Sequence, residues 1–456
     1  MKILLIHNYF LAEDATEQKV MRPYPPLGIL YISAYLENKG IGHKVFDGTF
    51  SSREILYKTL LQQKPDYVGL YINFLTRRNV ITTIEFIKKN LPESVVILGG
   101  PDGKSHTENY LDFGADFIVL GEGEVSFFEL ITQLDKGKGP SDIAGIAFKT
   151  GDKVIENSAR EMIKDLDTLP FPNRKNIHLE KYLTAWKDKH AYSSITINTQ
   201  RGCPYTCKWC SHAVYGDTYR RRSPKNVVKE LKAVKEKYNP DRIWFVDDVF
   251  TMSKKWLTEF NEELKIINLT ISYECISRAD KMDEDVIKLL KKSGCKLVWI
   301  GAESGSQKVL DLMDRRVDAQ QVREMIVLAK EKGIQTGTFI MLGYPGETEK
   351  DILESIQHLK ACDPDFFTIN KAYPIKGTKL YEDVEPLILN EVDWQNTPDS
   401  QIDFTRTYKS MYYDFAIRKV YNKVWQYKYQ KMGDRFKSFT CGFKSMIASL
   451  GMLLNK

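Results

Sequence analysis

The sequence predicts an α/β protein in three parts: a doubly wound sheet, a partial barrel of six β/α units and a helical tail. Three observations predict it. Short apolar runs alternate with amphipathic stretches over residues 1–140 and again over 191–380, the pattern of parallel strands joined by helices. Runs such as Val95-Val96-Ile97-Leu98 are continuously apolar, as strands covered on both faces must be. Between the two stretches, Leu169-Pro170-Phe171-Pro172 forces extended chain, because proline restricts itself and the residue before it. The expected domains are therefore 1–140, a connector 141–190, a core 191–380 and a helical region 381–456.

In the first part, residues 3–6, 44–46, 67–71, 95–98 and 117–120 read as strands, and 27–38, 53–62, 80–89 and 124–134 as helices. Such an order suits a flavodoxin-like sheet, which binds ligands beyond the carboxyl ends of its strands. Those ends carry Gly99-Gly100-Pro101 and Gly121-Glu122-Gly123-Glu124, and glycine there lets a backbone approach a bulky ligand closely. In the connector, 143–148 and 153–155 read as a hairpin turning at Thr150-Gly151-Asp152. Residues 181–190, with Tyr182 and Trp186, either line a cleft between domains or are ordinary packing.

In the second part, strands are expected at 194–197, 242–246, 271–275, 296–300, 335–341 and 366–369, and helices at 225–237, 254–267, 283–292, 319–332 and 349–360. Barrels carry reactive groups on loops at the carboxyl ends of their strands. Five motifs fall there: Asp247-Asp248, Arg278, Gly301-Ala302-Glu303-Ser304-Gly305, Gly343-Tyr344-Pro345-Gly346-Glu347, and Tyr373-Pro374 through Gly377-Thr378. Asp247 and Asp248 serve equally well as caps before Ser253 or as acids facing a substrate.

The densest chemistry lies between Asn198 and His212, N-T-Q-R-G-C-P-Y-T-C-K-W-C-S-H. Cys203, Cys207 and Cys210 are spaced C-x-x-x-C-x-x-C on the loop after the strand at 194–197. Three thiolates can hold three irons of a four-iron four-sulfur cluster, leaving the fourth iron open to a small molecule. Zinc also accepts three cysteines and a histidine, and His212 is close. Structural zinc sites usually take a second, distant pair of ligands, however, and the sequence offers none. An odd total of seven cysteines argues against a disulfide framework. The spacing, with Trp209 as the aromatic residue before the last cysteine, resembles the motif of the radical S-adenosylmethionine enzymes.

The resemblance widens upstream. Tyr24-Pro25-Pro26-Leu27-Gly28, the Gly-Gly-Pro turn and Gly-Glu-Gly-Glu are similar to the cobalamin-binding domain of cobalamin-dependent radical enzymes, a likeness that spans nearly the first 380 residues. It implies cobalamin near Gly99, Gly100, Gly121 and Glu122. No Asp-x-His-x-x-Gly element supplies a lower-axial histidine, and Asp102 stands where relatives often have histidine. At the fifth and sixth barrel loops, Tyr344 and Lys376 replace the family's usual leucine and proline. The resemblance also implies that S-adenosylmethionine chelates the open iron. Arg278 can then pair with its carboxylate as a bidentate fork, or instead with Asp280; Glu303 and Ser304 can accept from its amino or ribose groups, and Trp209 can pack near the adenine.

What the resemblance implies for function is reductive cleavage of S-adenosylmethionine to a 5'-deoxyadenosyl radical, with methylcobalamin then methylating an unactivated carbon. An electron donor such as flavodoxin or ferredoxin is implied too. No single catalytic side chain is indicated. Radical cyclisation or rearrangement uses the same motifs, and a cobalamin or iron-sulfur carrier would not need the S-adenosylmethionine loops. Transfer-RNA methylthiolation is disfavoured, because those relatives carry three further N-terminal cysteines and none precedes Cys203 here.

Composition agrees: 43% hydrophobic and 28% charged residues describe a globular chain expected in a reducing, oxygen-poor cytoplasm. The net +6 is uneven, for residues 401–456 hold eleven Lys or Arg against three Asp. Outside that tail nothing is basic enough for general nucleic-acid binding. The tail is dense in aromatics over 408–431 and apolar over 439–454. It suits either peripheral contact with an anionic membrane, where a lipid-like small-molecule substrate would reside, or closure of the open barrel with Tyr412, Trp425 and Phe443.

Overall fold

The computed structural model of the chain describes residues 1–390 and 393–456. It divides into two compact units, Met1–Cys203 with Ser211–Ile243 and Asp393–Pro398, and Pro204–Cys210 with Trp244–Val392 and Asp399–Lys456.

The first sheet contains β1 (Ile3–His7), β2 (Lys44–Asp47), β3 (Tyr67–Tyr71), β4 (Val95–Gly99), β5 (Phe117–Val119), β6 (Ile146–Thr150) and β7 (Lys153–Glu156), in the order β2-β1-β3-β4-β5-β6-β7. Strands β1 to β5 are parallel, and the order reverses between β1 and β3, which opens a crevice at their carboxyl ends. Around it run α1 (Ala15–Val20), α2 (Leu27–Asn38), α3 (Arg53–Gln63), α4 (Arg77–Asn90), α5 (Thr107–Asp112) and α6 (Gly123–Asp135). Side chains alternate across the strands, so Leu4, Ile6, Val68 and Leu70 pack with Val80, Ile84 and Ile87 of α4. Ile3, Leu5 and Ile97 pack on the other face with Leu36 of α2 and Leu130 of α6. With both faces buried, the strands need no polar alternation.

The connector's hairpin forms, turning at Gly151 with φ +59°. It also extends the sheet, because β6 pairs antiparallel with β5. Helix α7 (Leu179–His190) is packing within this unit: Tyr182 and Trp186 are buried, Tyr182 donates to Asp47 Oδ2 (2.7 Å) and Trp186 Nε1 donates to Pro23 O (2.9 Å).

The chain continues through β8 (Ser194–Ile197), the short pair β9 (Gln200–Arg201) and β10 (Arg220–Arg221), α8 (Pro224–Tyr238), β11 (Arg242–Phe245), α9 (Lys254–Ile266), β12 (Tyr273–Ser277) and α10 (Glu284–Ser293). Then follow β13 (Cys295–Glu303), α11 (Gln307–Leu312), α12 (Ala319–Glu331), β14 (Gln335–Leu342), α13 (Glu349–Cys362), β15 (Phe366–Lys371), α14 (Lys379–Val384), α15 (Ser410–Lys431) and α16 (Arg435–Leu454). The second sheet has the order β15-β14-β13-β12-β11-β8, consecutive and without reversal, the winding of a barrel left open. Strands β12 to β15 are parallel, so the loops that follow them share one edge. Strand β12 begins two residues later than the apolar run suggested: Ile271 is buried but precedes the paired segment, whose register shifts at Tyr273. Helix α9 is capped by Ser253, which accepts from Trp256 N–H, so the capping role considered for Asp247 and Asp248 is already filled.

Candidate active site

The cysteine loop is pinned at its base by the antiparallel pair of Arg201 with Arg220. Cys203 is half-buried, Cys207 buried and Cys210 exposed. Cys210 N–H donates to Cys207 O (3.0 Å), Lys208 N–H to Met313 O (3.1 Å) and Leu380 N–H to Lys208 O (2.7 Å), which stitches the loop to the end of α11 and the start of α14. Trp209 packs against an apolar cluster that includes Val309, Met313, Tyr344 and Leu380.

Two guanidinium groups converge on Cys207 Sγ, Nη1 of Arg278 at 3.6 Å and Nη1 of Arg315 at 3.7 Å. Arg278 follows directly after β12 and is 2% exposed. Its Nε donates to Asp280 Oδ1 (2.8 Å), its Nη2 to Arg315 O (2.8 Å), and its Cζ lies 3.6 Å from the ring centroid of Tyr205. The pairing with Asp280 considered from the sequence is thus present, though in a buried setting beside the cysteine loop. Tyr205 in turn donates to Asp280 Oδ2 (2.7 Å).

Arg315 and Tyr205 were not among the residues the sequence singled out. Arg315 sits on an irregular stretch between α11 and α12, flanked by Asp314 and Arg316 with φ of +50° each. It donates from Nη2 to Gly301 O (3.1 Å), and the same nitrogen lies 3.9 Å from Glu303 Oε1. Gly301 makes room for this pair: a Cβ there would stand 2.6 Å from Arg315 Nη2 and 2.8 Å from Glu303 Oε1.

Glu303 ends β13 in the left-handed region, φ +63°, where the register with β14 skips from Gly301 to Glu303. A bulge of this kind re-aims a side chain, and a left-handed non-glycine residue costs about 1–3 kcal/mol, strain that concentrates at functional sites. Burial raises the pKa of its carboxyl, while the charges of Arg315 and Arg278 pull it back. Ser304 is fully buried and faces inward, its Oγ accepting from Ser306 N–H (3.1 Å) and lying 3.3 Å from Ser355 Oγ.

In the first unit, β1 ends on His7 and β3 on Tyr71, beside the reversal of strand order, with ring centroids 5.9 Å apart. His7 Nδ1 lies 3.3 Å from both Asp47 Oδ1 and Thr49 Oγ1. Gly100, at φ +135°, answers to packing, since a Cβ would stand 2.2 Å from Ile72 O. Gly99 does not: a Cβ there would meet only Val119 at an ordinary 3.7 Å. Gly121 has φ +89° and only Val214 O nearby, at 3.4 Å. Both carboxylate oxygens of Glu122 are engaged, Oε1 by Arg201 (2.7 Å) and Oε2 by Arg220 (2.8 Å) and Ile163 N–H (2.9 Å). Asp102 is held by Arg77 through two hydrogen bonds, of 2.9 and 2.7 Å, and by Tyr110.

These residues fit the groups the motifs imply. Three cysteines on one loop are the donor set of a site-differentiated cluster, and the two buried guanidiniums at Cys207 would offset its negative charge. Glu303, strained at the end of β13 beside Arg315, has the chemistry to accept from a bound cation or hydroxyl. At the first sheet's carboxyl edge, packing does not account for Gly99, and a glycine there suits the close approach of a large planar cofactor.

Comparison with known proteins bears on the same two regions. Residues 197–359 match the Radical SAM superfamily and residues 18–131 the B12 binding domain. The chain is 31% identical over 392 residues to an uncharacterized methyltransferase of Pyrococcus horikoshii, PH0819, covering 84% of this chain and 83% of that protein. It is 28% identical over 395 residues to the anaerobic magnesium-protoporphyrin IX monomethyl ester cyclase of Rubrivivax gelatinosus, covering 84% of this chain and 70% of that one. The fold matches that of the radical S-adenosylmethionine methyltransferase TsrM from Kitasatospora setae with a TM-score of 0.70 at 19% identity, over 84% of this chain and 74% of that chain. The chain therefore belongs to the radical S-adenosylmethionine enzymes that carry a cobalamin-binding domain, and its cofactors are a four-iron four-sulfur cluster, S-adenosylmethionine and cobalamin.

Proposed function

We propose that this enzyme methylates an unactivated carbon of a small-molecule substrate. The observation that carries the reading is the meeting of Arg278, Arg315 and the bulged Glu303 around Cys207, on a chain related at 31% identity to a methyltransferase. When bound, the cluster, S-adenosylmethionine and cobalamin supply a carbon-centred radical and a transferable methyl group. Cys203, Cys207 and Cys210 hold three irons and leave the fourth to S-adenosylmethionine. Arg278 and Arg315 neutralise the buried side of that assembly. Glu303 accepts from the amino or ribose groups of S-adenosylmethionine, and Ser304, whose hydroxyl faces inward, fixes the loop that presents Glu303. Trp209 walls the adenine. Gly99, Gly100 and Gly121 border cobalamin, with Glu122 holding its loop through Arg201 and Arg220.

In this reading residues 1–140 serve cobalamin, 141–190 connect, 191–380 form the radical core and 381–456 the helical region. Flavodoxin or ferredoxin supplies the electron. The enzyme works in the cytoplasm, on a lipid-like substrate near the membrane that its C-terminal region contacts.

Cyclisation is the second reading, favoured by the 28% identity to a cyclase over 84% of the chain. One experiment separates the two. The reconstituted enzyme, given reductant and S-adenosylmethionine labelled in its methyl group, is incubated anaerobically with metabolites from a strain lacking the gene. A labelled product together with S-adenosylhomocysteine and 5'-deoxyadenosine supports methylation. A changed but unlabelled product supports cyclisation, and absence of S-adenosylmethionine cleavage overturns both.

A further inference from the structure

Helix α16 packs on α15 through small residues. A Cβ at Gly442 would stand 2.6 Å from Gln426 Nε2, one at Gly451 2.4 Å from the Phe415 ring, and Ser438, Ser445 and Ala448 are buried along the same face. The opposite face carries Phe436, Phe439, Phe443, Met446, Leu450 and Leu453, each more than half exposed. Their spacing alternates three and four residues, so they form one straight apolar stripe about 25 Å long at 1.5 Å per residue. Single exposed apolar residues are ordinary, but a contiguous stripe of this size marks an interaction surface.

Charge identifies the occupant. From Arg435 to Lys456 every formal side-chain charge is positive, on Arg435, Lys437, Lys444 and Lys456, and no Asp or Glu is present. Helical spacing sets Arg435 on one side of the stripe and Lys437 and Lys444 on the other. A second copy of the helix would match the apolar spacing but would bring these cations together, and Asp434, the acid that caps α16, is already engaged by Lys437 Nζ (3.1 Å). Among the described residues no helix is long and apolar enough to cross a membrane. An apolar stripe bordered by cations instead suits a helix lying flat at the boundary between headgroups and acyl chains of anionic lipid.

We propose that α16 is a peripheral membrane helix that seats the Phe436-to-Leu453 stripe in an anionic bilayer surface. The proposal is independent of the reaction, since none of these residues belongs to the cofactor site. The test uses the full-length, cofactor-reconstituted chain, with vesicles of phosphatidylcholine alone or mixed with phosphatidylglycerol. Sedimentation with the phosphatidylglycerol vesicles is expected at low salt and falls as salt rises. Phe439→Asp combined with Leu450→Asp lowers the partition by about tenfold or more with helix content and iron content unchanged. Arg435→Gln, Lys437→Gln and Lys444→Gln together keep the stripe and remove the preference for phosphatidylglycerol. Failure to bind either vesicle overturns the proposal, as does equal binding by the double aspartate variant. A dimer in lipid-free buffer that this variant dissociates, with no vesicle binding by the unaltered chain, assigns the face to a second copy instead.

Discussion

Glu347 is buried with its two oxygens unequally served: Oε2 accepts from Gly343 N–H (2.5 Å), and Oε1 has no hydrogen-bond partner among the described residues. Desolvation pushes its pKa from the ordinary 4.5 up to about 8, with the charge of Asp351 adding to the rise and the Gly343 N–H opposing it. The folded state therefore keeps a proton that the unfolded chain releases. Its contribution to stability is fully present below the unfolded value and is lost as pH rises towards about 8. Glu347→Gln keeps an acceptor for Gly343 and removes the titration, so the unfolding free energy from urea titrations between pH 5 and 8 should fall less steeply in the variant, by up to about 1.4 kcal/mol per pH unit. Parallel profiles for the two proteins would refute the assignment. Arg315 makes a separate prediction. With its guanidinium 3.7 Å from Cys207 Sγ, Arg315→Gln should lower the midpoint potential of the reconstituted cluster by tens of millivolts at unchanged iron content. A potentiometric titration followed by electron paramagnetic resonance reads this, and an unshifted midpoint would place the cation away from the cluster. No feature near residue 315 announces this contact, because its partner is 108 residues away in sequence and left-handed neighbours present the side chain.

The two tail helices differ in what they hold together. Helix α15 buries Tyr412, Tyr413, Val420 and Val424, and it covers β15, the edge strand of its sheet, where Ile369 N–H donates to Tyr421 Oη (3.2 Å). An uncovered edge strand invites aggregation. Truncation after Leu380 should therefore give insoluble protein, whereas truncation after Met432, which removes only α16, should give a soluble chain that still takes up iron and cleaves S-adenosylmethionine. Solubility and cleavage product measure both, and a soluble shorter fragment would contradict the role of α15. The aromatic run over 408–431 was legible as a helix, and a cover for the open barrel was one of its two readings; periodicity shows a buried face and not what it is buried against. Long amphipathic helices such as α9, α12 and α13 lie within two residues of their expected bounds, because caps such as Ser253, Asp318 and Thr348 mark their starts. Helices α11 and α14, six residues each, are too short to show a period. Ser304 shows the limit for the site: its place in the motif is legible, but its inward orientation is set by Ser306 and Ser355.

At the scale of the molecule, the first sheet bears on the cobalt's lower face. No Asp-x-His-x-x-Gly element occurs, and His7, which ends β1, has its Nδ1 directed to Asp47 and Thr49. Electron paramagnetic resonance of the cob(II)alamin form should accordingly show no nitrogen hyperfine coupling from below. Such a coupling, lost in His7→Phe, would show that histidine reaching the metal. The two compact units also have a topological consequence. The backbone passes between them after Cys203, after Cys210, after Ile243, between residues 390 and 393, and after Pro398. A nick at any one of these passages divides the chain so that at least one fragment carries parts of both units. Neither unit is a cassette that a single crossover could transplant, since neither is one continuous segment of the chain.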